Sequence, residues 1–252
     1  MSEPIVSTAP QGAPHPDRSD PVLSLLAHAD DNLVLAQRLG EWISNAPELE
    51  EDIALGNIAL DHLGVARALY THAAGIDGRG LTEDDYAMRR VEREFLNVLL
   101  VEQPNGDFAH TMVRALFFDA YQLELWGGLS GSGDLNLAGI ATRAGKEARY
   151  HLRHSSTWVV RLGDGTDESH RRAQGAVDAL WRYTGELFEG PDQVGRDRWR
   201  ATVQGVLERA GLRIPDDPYQ RSGGRRGFHS EHLGPLLAEM QWMQRAYPGL
   251  EW

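Results

Sequence analysis

The 252-residue chain contains no cysteine. That excludes disulfides, thiolate-bound metals, cysteine-ligated iron–sulfur clusters and cysteine nucleophiles. No apolar run reaches the ~18 residues that a membrane-spanning helix needs. The first residues, "MSEPIVSTAPQGAPHPDRSDP", lack the basic and apolar regions of a secretory leader. Their Pro, Ser and Ala content reads as a disordered arm over 1–20, which leaves one helical domain over 21–252. A cytoplasmic setting fits. Positive charge is also scarce: 25 Lys and Arg face 37 Asp and Glu, a net charge of −12. A chain so acidic is not a general nucleic-acid binder, and its one basic cluster, "RSGGRRG" at 221–227, is too short to change that. Period-2 strand patterns, internal repeats and a nucleophile elbow are all missing. The glycines of "GSGDLNLAG" follow no strand, so they form no phosphate loop.

What is present is helical rhythm. Asp20 and Pro21 offer an N-cap and first helical residue for a helix running to Ile43. A second is expected from Glu48 to about Ala74, with acids in its first turn and Gly75 as its stop. "DYAMRRVEREFLNVLL" reads as a shorter helix. Two more long helices are expected over about 108–129 and 135–162, then others over 167–189, 196–210 and from Ser230 or Pro235 to Ala246. The four longest form two pairs with a longer crossover between them. The expected architecture is all-α: a ferritin-like four-helix bundle with additional C-terminal helices.

Each long helix carries an acid within its apolar stripe. Asp31 lies with Ala27, Val34 and Leu35, and Asp30 is the alternative one register away. Asp61 lies with Ile58 and Val65, Asp119 with Leu116 and Leu123, and Glu147 with Ala144 and His151. Asp31 and Asp61 belong to one antiparallel pair, Asp119 and Glu147 to the other, so matched heights are expected. Di-iron carboxylate bundles use such a set, with histidine three residues after two of the acids. Here Gly64 follows Asp61 and Tyr150 follows Glu147. Glycine has no ligand atom and neutral tyrosine is a poor one. His62, His151 and His154 are the available substitutes, but at the wrong offset. The expectation is a bundle without its iron pair, in which histidines and basic side chains such as Arg38, Arg67, Arg143 and Lys146 offset the acids. The other possibility is a di-iron monooxygenase or oxidase acting through Asp31, Asp61, Asp119 and Glu147. The pair His229 and His232 reads as a helix start capped by Ser230 rather than a metal site, and "GDGTDES" as a solvated turn.

Five segments carry a resemblance: "LVLAQRLGEWISNAPELEEDIALGNIALDHLGVAR", "LLVEQPNGDFAHT", "KEARYHLRHS", "LWRYTGELF" and "GFHSEHLGPLLAEMQWMQRAYPGLEW". With them the chain resembles, over about 25–252, the C-subunit family of phenylacetyl-CoA epoxidases. The resemblance implies a structural, non-catalytic subunit with no cofactor of its own. It would pair with a catalytic A subunit whose di-iron centre epoxidises phenylacetyl-CoA, alongside reductase components. It also implies that "EREFLNVLL" borders the coenzyme-A ester, which makes Phe95, Leu96, Asn97 and Val98 candidate substrate contacts.

Overall fold

The computed structural model describes residues 20–189, 195–216 and 219–248; the expected arm over 1–20 lies outside them except for Asp20. Nine α-helices are found among the described residues: α1 (Pro21–Gly40), α2 (Leu49–Asp77), α3 (Leu99–Glu102), α4 (Phe108–Leu129), α5 (Leu135–Gly163), α6 (Asp167–Leu180), α7 (Arg196–Arg209), α8 (Leu233–Met240) and α9 (Trp242–Ala246). No strand occurs among the described residues. The fold is all-α and ferritin-like, with α1–α2 and α4–α5 as the two packed pairs. The crossover between them contains α3.

Local chemistry sets the ends. Asp20 accepts from Val22 N at 2.9 Å and Pro21 opens α1. Three acids, Glu50, Glu51 and Asp52, occupy the first turn of α2, where the helix dipole favours them. Asp107 and Asp134 cap α4 and α5 by accepting backbone N–H groups. Gly75 does not end α2. The helix runs on to Asp77, and Gly78 terminates it at φ 72°, a conformation glycine adopts without a Cβ penalty. The first helix stops at Gly40, short of Ile43, and the turn after it holds Ser44 at φ 68° with its N–H on Asp52 Oδ1. The expected helix over 167–189 is α6 followed by two 3-10 turns, Trp181–Tyr183 and Gly185–Phe188. The last helix begins at Leu233 and breaks at Gln241.

The largest departure is the segment expected as a helix over 85–100. It forms a π-turn (Asp85–Arg89), a 3-10 turn (Glu92–Glu94), an extended stretch and then α3. The cause is tertiary. Leu96 N donates to Asp30 Oδ2 (2.7 Å), Val98 N to Asp31 Oδ1 (2.8 Å) and Leu99 N to Glu186 Oε2 (2.7 Å). Buried carboxylates take the N–H groups that a helix would have given to its own carbonyls.

Candidate functional site

The four acids picked out by periodicity do not share one centre. Asp31 is wholly buried, yet its carboxylate is claimed by Arg225, with Nη2 at 2.6 Å from Oδ2 and Nη1 at 3.0 Å from Oδ1. Its neighbour Asp30, equally buried, is held by Arg90 and by the Tyr70 hydroxyl. Burial pushes the Asp31 carboxyl up, and Arg225 offsets part of that. Asp61 lies on the flank of α2, its side chain 40% exposed, and bonds His151 Nε2 at 3.0 Å. Glu147 pairs along its own helix with Arg143 at 3.0 Å and leaves Oε2 buried without a partner. Asp119 is the one member of the set that sits in the bundle core with histidines. It accepts from Ser155 Oγ at 2.7 Å, and burial raises its carboxyl to about 6.

The expected offsetting bases are only partly the ones found. Arg143 serves Glu147, but Arg67 reaches Glu83, and Arg38 reaches Glu41 and the Glu102 and His232 carbonyls. Histidines do pair with acids: His151 with Asp61, and His154 with Glu51 at 2.8 Å. Arg90, Arg225 and Glu186 are the residues that sequence reasoning missed. Arg225 belongs to the "RSGGRRG" cluster, and its guanidinium points inward. Besides Asp31 it donates to Ala27 O and Leu96 O, each at 2.9 Å. Close approach makes this possible: a Cβ on Gly224 would stand 2.0 Å from Asn97 O, and one on Gly227, at φ +74°, 2.2 Å from Arg93 O. Glu186 Oε1 accepts from Gly223 N at 2.8 Å on the other side of the same loop.

A di-iron centre does not fit these residues. Gly64 faces outward, with no heavy atom within 4 Å of where its Cβ would be. Tyr150 also faces outward, 52% exposed. Asp31 has both oxygens committed to a guanidinium. The inward residue of α2 at this level is His62, one place beyond Asp61. His62, Asp119 and His151 each offer a potential ligand atom within 4.8 Å of the others.

The candidate ester contacts at 95–98 are packed inside. Phe95, Asn97 and Val98 are fully buried and Leu96 partly so. The Phe95 ring lies under Arg90, 4.3 Å from the guanidinium carbon to the ring centre, and Asn97 Nδ2 donates to Glu102 Oε2 at 3.0 Å. Glu102 also receives Ser230 N (2.6 Å) and His229 Nδ1 (2.9 Å). His229 is therefore tied into the crossover, whereas His232 lies 3.9 Å from Glu231; the two histidines form no joint site, and Ser230 accepts only weakly from His232 N at 3.4 Å.

The family model described as "Phenylacetic acid catabolic protein" matches residues 6–252. A curated relative, the C subunit of 1,2-phenylacetyl-CoA epoxidase from Escherichia coli (strain K12), is 48% identical over 237 residues, covering 88% of this chain and 95% of that protein.

Proposed function

The chain belongs to the phenylacetic acid catabolic protein family, and from that premise we propose that it is the structural, non-catalytic subunit of a phenylacetyl-CoA epoxidase. It supports a related A subunit that carries the di-iron centre, works with the other epoxidase components in aerobic phenylacetate degradation, and does so in the cytoplasm. The observation that carries this reading is the capture of Asp31 by Arg225, together with the outward-facing Gly64 and Tyr150. Asp31, which would be one of the iron ligands, serves as a structural anchor instead.

The surface supports a partner role. On α2, Leu49, Ile53 and Leu60 are 70%, 57% and 65% exposed, with Leu63 beside them. They follow helical spacing on the face opposite the core. A long helix that is apolar on both faces matches a subunit interface better than a solvated surface. No helix among the described residues is long and apolar enough to cross a membrane, so lipid is not its partner through such a span.

The test is iron content and assembly. The chain is expressed alone with ferrous iron, and with the A subunit. Near-zero iron pairs alone and a stable co-purifying complex with the A subunit are expected. Two irons per chain, with turnover in the absence of the A subunit, would overturn the reading.

A further inference from the structure

The core below Asp61 contains an arrangement that the pairing of acids with histidines leaves open. Asn32 Nδ2 donates to His28 O at 2.8 Å, which fixes the amide so that Oδ1 faces His62 Nδ1, also at 2.8 Å. His62 must therefore carry its proton on Nδ1 and present a bare lone pair at Nε2. That Nε2 is buried and has no hydrogen-bond partner. Burial, with His151 nearby, holds His62 in its neutral form. One potential ligand atom each from His62, Asp119 and His151 lie within 4.8 Å of one another. His151 Nε2 donates to Asp61 Oδ2 at 3.0 Å. A cavity of about 10 Å³ borders His62 and Asp119, though not His151, among mostly apolar side chains; it has about the room of one water. A buried lone pair with no donor against it is costly unless something electron-accepting lies beside it.

We infer that His62, Asp119 and His151 form a mononuclear site for one divalent transition ion, such as Zn²⁺ or Co²⁺, that ties α2 to α4 and α5. Two imidazoles and a carboxylate are the donor set such ions take, with water completing the coordination. The supporting shell is in place: Asn32 behind His62, Asp61 behind His151 and Ser155 on Asp119. Only Asp119 belongs to the four-carboxylate set, so this is not a remnant iron pair in its original register. The site departs from the metal-free core expected from sequence, and it does not depend on whether the chain pairs with a catalytic partner.

Co²⁺ is the probe. The full chain is stripped with chelator and titrated with Co²⁺, and the visible ligand-field bands and bound metal per chain are read. One Co²⁺ per chain, displaced by Zn²⁺, is expected. His62→Gln and Asp119→Asn, both near-isosteric, should each weaken binding by at least about tenfold, while His232→Gln should not. Either variant that retains the helical circular dichroism of the parent suffices to decide. Absence of ligand-field bands in the folded parent protein overturns the inference. So does Co²⁺ uptake that neither core variant changes, since the ion would then be on the surface and the gap between His62 and Asp119 filled by water or a proton.

Discussion

Asp31 and Arg225 stand 194 positions apart and meet in the core at 2.6 Å. One is on the first helix of the bundle, the other in a glycine-flanked loop close to the end of the chain. Between them passes the extended stretch 95–98, bonded to both: Val98 N to the carboxylate and Leu96 O to the guanidinium. The acid that periodicity marks as a metal ligand thus serves as an anchor for the crossover.

Removing one partner from such a pair leaves an uncompensated buried charge. Arg225→Met should cost about 3–5 kcal/mol. The double variant Asp31→Asn, Arg225→Met should be less destabilised than the single one, because the replacement amide still accepts from Val98 N and carries no charge. Urea denaturation of the three proteins measures this. A loss below about 1 kcal/mol for Arg225→Met, on the scale of an exposed ion pair, would contradict the assignment.

His229 has an acceptor at each ring nitrogen: Glu102 Oε2 and Phe95 O, both at 2.9 Å. Only the doubly protonated ring satisfies both. Burial opposes that charge, but the bonds to Glu102 and Phe95 prevail and the imidazole is raised above its ordinary 6.5. The sign follows from linkage. The contribution is fully present below the unfolded value of about 6.5 and is lost as pH rises through the higher folded value. Stability should therefore fall on the alkaline side of about 6.5, and His229→Gln should flatten that slope. An unchanged slope in the variant would show that another group titrates.

The exposed stripe on α2 gives a separable prediction. Ile53→Asp with Leu60→Asp should abolish co-purification with the A subunit while changing stability by no more than about 0.5 kcal/mol per site, as exposed positions do. Co-purification that survives both charges would place the interface elsewhere.

Gly64 is exposed within a helix and has open space where a Cβ would go. Gly64→Ala should stabilise the protein by about 1 kcal/mol. Putting histidine at both 64 and 150 should not restore an iron pair, because both positions face away from the core. Two irons per chain in that double variant would show that the helices rotate on loading.

Much of the fold is legible in the sequence because it is local. The four long helices, the Asp20–Pro21 start and the acids of the second helix's first turn all depend on neighbours a few residues away. Periodicity places the acids on α1 and α4 inside, and they are inside. On α2 and α5 the stripe itself is right, with Ile58, Val65 and Ala144 buried as expected, but Asp61 and Glu147 lie at its edges and the neighbouring His62 and Ala148 point inward. A helix that buries about half its surface tolerates that ambiguity, since boundary and core residues repeat with the same period. The crossover is not legible. Its amide groups answer to Asp30, Asp31 and Glu186, and no local pattern reports a carboxylate that arrives from another helix. The inward turn of Arg225 is hidden for the same reason, although the glycines around it signal a close backbone approach.

The long separation of Asp31 from Arg225 also orders events in time. Synthesis delivers α1 first, with Asp30 and Asp31 side by side, and Arg90 follows while the chain is still short. Arg225 comes only near the end. Until then Asp31 has no guanidinium to sit beside, and the stretch at 95–98 has only one of its two walls. The bundle therefore cannot reach its native core helix by helix as it emerges; the final consolidation waits for the glycine-flanked loop.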